Sequence, residues 1–261
     1  MLHKLLAPIA LAFYSFPIAA AQGPGAVETT EADRQALKDK WGGFAPKGWR
    51  VLLAVDGSIF GPKTNDAVLV IEETDPEKIV SNERLGASQL NTNPRAILFL
   101  AEQGSSHVVA IRNDGFLPSE GDAESSCLSD PLMEGPGIEI KKRIVSISLN
   151  YWYSCGSWYV NQDTSKFRAE KGRLRLIGQE GWSFHRASAM GSRTSVNFLT
   201  GRKKQMDNVS DIGPEPELAD GEELPKPVTK WSRVKRGPFY LDVMDRKLCV
   251  DDEIAPVWCG H

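Results

Sequence analysis

Hydrophobic and polar positions divide this chain into three unlike stretches. Residues 5–20 are almost wholly apolar, residues 29–41 carry apolar side chains at helical spacing, and from residue 49 onward apolar positions fall in short runs or on alternate residues. In the helical stretch TTEADRQALKDKW, Leu37 and Trp41 share one face, Thr30 is the predicted N-cap, and Asp33 sits in the acidic first turn. Gly42-Gly43 stops the helix. Beyond Pro46-Lys47-Gly48 the pattern predicts strands over 49–55, 67–71, 96–101 and 107–112, with one helical turn opening at Asp75-Pro76 and Pro94 returning the chain to the sheet.

The second half alternates more regularly. Strands are predicted over 138–141, 144–153, 158–168, 174–177 and 195–199, separated by turns such as Glu170-Lys171-Gly172 and Thr200-Gly201, and a last one over 239–243. Residues 114–137, rich in Ser, Pro, Gly and acids, read as a long surface loop pinned by Cys127. Residues 212–227 are acidic and carry Pro214, Pro216, Pro225 and Pro227, which marks a linker. The expected organisation is therefore a leader (1–21), a helical lead-in (22–45), a β domain (46–211), a linker (212–227) and a C-terminal strand with a disulfide tail (228–261). The fold class is mainly β, an antiparallel meander arranged as a sandwich or propeller-like, with one short N-terminal helix.

The apolar run at the start has a specific meaning. Lys4 precedes it, Pro8 and Pro17 interrupt it, and it closes on Ala19-Ala20-Ala21 before Gln22, the pattern of a secretory signal peptide. The exported part should work in a periplasm or outside the cell. No second apolar run reaches membrane length, so no membrane span is expected in the mature chain. All four cysteines, Cys127, Cys155, Cys249 and Cys259, lie in the exported part, where an oxidising compartment favours two disulfides. Of the three possible pairings, Cys127 with Cys155 and Cys249 with Cys259 join neighbours in sequence and are preferred. A zinc site is not expected, since no Cys-x-x-Cys spacing is present and no histidine stands at ligand spacing from a cysteine.

Charge adds little. The net charge is −3, and −4 once the leader with its single lysine is set aside. The basic groups Lys141-Lys142-Arg143, Arg202-Lys203-Lys204 and Arg233 to Arg236 read as solvated strand ends able to touch phosphates or carboxylates. Without a domain-wide basic stripe, nucleic acid is not the expected partner.

Two segments resemble bacterial secreted proteins of the FG-GAP or VCBS group, the integrin α-type β-propeller repeats. The first runs from Gly48-Trp49-Arg50 to Asp66-Ala67-Val68-Leu69-Val70. The second comprises Lys166-Phe167-Arg168, Leu174-Arg175-Leu176-Ile177-Gly178, Ser183-Phe184-His185-Arg186 and the run from Thr194 to Gly201. The resemblance spans roughly residues 45–201 and implies an exported β scaffold of the bacterial envelope. That family's calcium loop would place oxygen ligands where this chain has Ser58, Phe60 and Pro62, leaving only Asp66. Calcium takes six or more oxygens, so no metal is expected here, nor any other cofactor.

Candidate chemistry is sparse. There is no Gly-x-Ser-x-Gly elbow. His107 opens an apolar strand and reads as a turn residue, while His185, with Ser183 beside it, is the one weak catalytic candidate. Cys155, in Ser154-Cys155-Gly156-Ser157-Trp158, reads as a disulfide partner rather than a nucleophile. Adjacent acids, Glu72-Glu73 and Asp251-Asp252-Glu253, would point to opposite faces of a strand and so do not form a glycosidase pair. Aromatics are more suggestive: Tyr151, Trp152, Tyr153, Trp158 and Tyr159 flank Cys155, and Trp182 and Phe184 follow. Tyr151, Tyr153, Trp158 and Trp182 are the predicted binding residues, suited to stacking on sugar rings or anchoring a protein. The reading that follows is an exported, non-enzymatic binding protein of the envelope for a protein or cell-wall glycan. In an inhibitor or immunity version, residues 114–137 act as a plug. The alternatives are a periplasmic hydrolase around His185 and a structural envelope protein.

Overall fold

In a computed structural model the chain is described over residues 30–216, 223–249 and 257–259, and its centre is set by two strands that are apolar on both faces. The predicted leader and the acids of residues 251–253 lie outside the described residues. Helix α1 (Glu31–Trp41) precedes a four-stranded antiparallel sheet made of β1 (Trp49–Gly57), β2 (Asp66–Glu73), β5 (Arg95–Gln103) and β6 (Ser106–Asn113), in the order β1-β2-β5-β6. Strands β3 (Ile79–Ser81) and β4 (Gln89–Asn91) form a small hairpin between β2 and β5. A seven-stranded antiparallel meander follows: β7 (Ile138–Lys141), β8 (Ile144–Tyr151), β9 (Tyr159–Glu170), β10 (Arg173–His185), β11 (Gly191–Asn197), β12 (Arg202–Val209) and β13 (Val228–Arg233). Among the described residues the sheets do not close into a barrel.

Three layers result. Alternate residues of β2 and β5 send Val68, Val70, Ile97 and Phe99 into a core shared with Val145, Ile147, Leu149, Phe167, Leu174 and Leu176 of the larger sheet. Their neighbours Ala67, Leu69, Ile71, Ala96 and Leu98 point the other way and pack under Trp41 and Leu37 of α1. A strand covered on both faces has no polar side to show, which is why these two read as continuous apolar runs. The helix begins as expected: Thr30 Oγ1 accepts from the Asp33 amide at 3.2 Å, and the Asp33 carboxylate accepts from the Thr30 amide at 2.9 Å. The Thr30 hydroxyl, donating to the Asp33 carboxylate at 2.7 Å, and then the Thr30 amide hold that carboxyl below its ordinary range.

A buried ion network locks one end of the small sheet. Arg95 is fully buried; it donates to Glu72 Oε1 at 2.9 Å and to both oxygens of Asp130 at 2.6 and 2.7 Å. Arg50 donates to the remaining oxygen of Glu72. Burial opposes charge on Arg95, but Asp130 and Glu72 outweigh it and keep the guanidinium ionised. Through Asp130 this network fastens residues 114–137, which are also held by Asn150 N donating to Pro131 O at 2.7 Å, Gly121 N to Asn91 O at 2.9 Å, and the Cys127–Cys155 disulfide. That segment is a strap laced to the sheets at several points.

The C-terminal region departs from the expectation of a strand over 239–243. Only a single bridge forms, Tyr240 to Arg175, before a short 3-10 turn at Leu241–Val243. Leu241 and Met244 are both buried, a spacing of three that a turn satisfies and alternation does not, and Asn113 Nδ2 donates to both of their carbonyls at 2.6 and 2.8 Å. Residues 228–233 are instead the edge strand of the meander, paired to β12 from Asp207–Val228 to Arg202–Arg233. Cys249 pairs with Cys259, as preferred from the sequence.

Candidate functional site

β9 and β10 are longer than the core beneath them. A register shift at Leu176/Gly178 marks the change: on one side Phe167, Leu174 and Leu176 are buried, and on the other the sheet continues as a half-exposed, polar extension. Hairpin turns set its geometry. Lys171 and Gly172 both take positive φ, 54° and 76°, the two-residue turn that joins β9 to β10 in register.

The far end of the extension carries the aromatic cluster. Residues 152–158, which link β8 to β9, are tied down by the Cys127–Cys155 disulfide, by Ser154 N donating to Cys127 O at 2.8 Å and by Ser129 N donating to Trp152 O at 3.0 Å. This presents Trp158 63 % exposed. Its ring stacks on His185 at 6.0 Å between centroids, and the ring of the exposed Tyr159 meets His185 edge-on at 5.0 Å. Arg186 donates to Ser157 O and lies over the Trp152 ring at 5.7 Å. Beside this cluster lies a shallow cavity of about 480 Å³ lined by Tyr159, Ser183, His185, Ser188, Met190 and Ser192.

Ser183 and His185 share the cavity because they are alternate residues of β10, but no hydrogen bond joins them among the described residues. The ring nitrogen Nδ1 of His185 accepts from the Ser188 amide at 3.3 Å and lies 3.4 Å from its hydroxyl. With Nδ1 accepting from Ser188, the tautomer that fits this contact has its N–H at Nε2. A base for Ser183 would need that nitrogen free of its proton. The arrangement suits ring stacking with hydroxyl and imidazole hydrogen bonds.

The four predicted binding aromatics do not converge. Tyr151 packs against the main core, its hydroxyl accepting from Arg246 Nη1 at 2.7 Å, and burial pushes that hydroxyl's pKa up despite the nearby guanidinium. Tyr153 bridges to Leu128 of the strap. Trp158 stands beside the cavity with its ring on His185, whereas Trp182 emerges on the opposite face of the sheet, stacked on Phe184 at 5.9 Å. Sequence reasoning passed over Ser188, Ser192 and Arg186; the turn after β10, where Ala189 takes φ 54°, curls back on His185 and brings Ser188 to the ring.

Other polar residues singled out from the sequence are structural. His107 Nε2 pairs with Asn65 O at 2.6 Å and its ring meets Trp41 edge-on. Glu72 belongs to the Arg95 network, and Glu73 pairs with Lys78. Asp66 is buried and accepts from the amides of Ile59, Phe60 and Glu102 at 2.8, 2.9 and 3.0 Å and from the Thr64 hydroxyl. Burial raises its pKa, but these bonds together prevail and hold it below the ordinary value. Its carboxylate organises the β1–β2 turn. Among the described residues no group of three or more His, Cys, Asp or Glu is placed to hold a metal. No helix among them is long and apolar enough to cross a membrane.

No known protein family, curated protein or solved structure matches this chain.

Proposed function

We propose that this is an exported, non-enzymatic binding protein of the cell envelope that recognises a glycan at the Trp158–His185 cleft. The observation that carries the reading is an exposed tryptophan face beside a shallow cavity edged by four hydroxyl-bearing residues and an imidazole. A sugar ring presents an apolar face to stack and equatorial hydroxyls to pair, and this cleft offers a partner for each. The two disulfides fit an oxidising compartment, in agreement with a periplasmic or secreted location. The lacing of residues 114–137 to both sheets supports a scaffold role for that segment over a plug, and so favours a glycan over the inhibitor or immunity version.

Titration of the full chain with soluble peptidoglycan fragments, and co-sedimentation with insoluble peptidoglycan, tests this reading. Saturable binding is expected, weakened about tenfold by Trp158→Ala, the scale of one lost ring-stacking contact. Absence of binding to any wall fragment, with recovery of a stoichiometric protein partner from a periplasmic extract, would overturn it. Turnover of a glycan or ester that is lost in a folded His185→Ala variant would replace it with the hydrolase reading.

A further inference from the structure

The opposite, outer face of the seven-stranded sheet has a composition that neither a core nor a merely solvated surface explains. Its register sets three rows across β8 to β13. The first holds Asn150, Gln162, Trp182, Arg193, Met206 and Thr229; the second Ser148, Thr164, Glu180, Ser195, Lys204 and Trp231; the third Ser146, Lys166, Gly178, Asn197, Arg202 and Arg233. Met206 is the one aliphatic side chain in this grid. Five cations face one carboxylate, in a chain whose net charge is −3.

Some of that charge is already engaged. Lys166 pairs with Glu180 at 2.7 Å and Arg193 with Asp211 at 3.0 Å, while Arg202 lies over the Trp231 ring at 4.5 Å and Arg233 donates to Thr200 O. Lys204 has no carboxylate partner among the described residues. It stands between Ser195 and Trp231, which is 58 % exposed, and lines a cavity of about 270 Å³ with Trp182, Arg193, Gln162 and Thr164. An aromatic platform, five cations of which Lys204 lacks a carboxylate partner among the described residues, and rows of amides and hydroxyls therefore share one face, with Ser148 at its margin buried and bonded to Thr164 at 2.9 Å.

We infer that this face binds an acidic polysaccharide, its carboxylates paired with Lys204, Arg202 and Arg193 and its sugar rings seated on Trp182 and Trp231. Charge complementarity argues for a polyanion, since the face segregates positive charge on an acidic chain. Spacing argues against single-stranded nucleic acid. Trp182 and Trp231 lie three strands and one row apart, on the order of 15 Å, too far for the stacking of successive bases. The dense amide and hydroxyl rows match a hydroxyl-rich chain that crosses the strands. This surface lies on the other side of the sheet from the Trp158 cleft and does not depend on it.

The test is binding of the full chain to polygalacturonate, with neutral dextran and single-stranded DNA as comparisons. Polygalacturonate should bind, weaken as salt rises, and lose roughly tenfold or more in affinity in the triple variant Arg193→Gln/Arg202→Gln/Lys204→Gln. Trp231→Ala, at an exposed position where folding is not at stake, should weaken it severalfold, and Trp158→Ala should leave it unchanged. The inference is overturned by no binding of polygalacturonate, by equal binding of dextran, by tighter binding of DNA, or by loss in Trp158→Ala equal to that in the triple variant. Failure of peptidoglycan binding at the cleft, with polygalacturonate binding intact, would count against the proposed function and leave this face standing.

Discussion

The four-stranded sheet and the extension of the seven-stranded sheet are built from the same element by opposite rules. In β2 seven of eight residues are buried and in β5 the six from Arg95 to Leu100 are, and even the charged Arg95 and Glu72 are spent on each other. In the far half of β9 to β13 polar side chains predominate on both faces, Val160 and Val209 being buried apolar exceptions, and Trp158, Tyr159 and Trp231 stand exposed to water. A strand that buries both faces can hold a fold and do little else. A sheet that is carried past its core, with tryptophans on both sides, has its side chains free for a partner.

The contrast is broken most severely by cutting the buried network. Arg95→Met leaves Glu72 and Asp130 buried without their cation and should destabilise the protein by about 3–5 kcal/mol, seen as a large drop in Tm. Leu98→Ala, a cavity between β5 and α1, should cost about 2–5 kcal/mol by chemical denaturation, whereas Thr194→Ala in the extension should stay within about 0.5 kcal/mol. Equal losses at the two positions would erase the distinction. Replacing Cys127 and Cys155 together by Ser opens a tie across 28 residues and should cost about 2–4 kcal/mol. The same change should also reduce glycan binding by releasing residues 152–158, which separates it from a purely core effect.

Acid reports on Asp66. Its carboxyl is held below the ordinary 3.8, so its contribution is complete above that value and is lost as pH falls through the lower folded pKa. Wild type should therefore lose stability on acidification below about pH 4, and Asp66→Asn should be less stable at neutral pH with a shallower acid dependence. Trp158→Ala, like Thr194→Ala, should change stability by no more than about 0.5 kcal/mol in thermal melting, although its effect on peptidoglycan binding is the largest of these substitutions.

How much of this was legible follows from the same contrast. The runs VLVI and AILFL, and the capped helix ending in Trp41, announced the central strands and the helix because burial leaves a hydrophobic pattern, while the covering of those strands on both faces came only with the structure. Strands β12 and β13 left none. Arg202-Lys203-Lys204 is wholly basic, and in Val228 to Arg233 the apolar Val228 and Trp231 fall three apart and both stand exposed, so neither segment shows the alternation of a half-buried strand. β10 was read only as far as Ile177 for a related reason: past the bulge its inward face is Gln179, Gly181, Ser183 and His185, not aliphatic. The aromatics were visible as a cluster, but their division between two faces depends on the register of β9 with β10. The approach of Ser188 to His185 depends on a turn that no pattern announces.

The central claim, that the sheet extension and not the doubly buried sheet meets the ligand, is tested most directly by mapping backbone amide NMR shifts during titration with soluble peptidoglycan fragments. The account predicts saturable changes at Trp158, Tyr159, His185, Ser188 and Ser192, with β2, β5 and α1 unmoved. Changes centred on α1 or the small sheet, or a silent spectrum at saturating fragment, would contradict it.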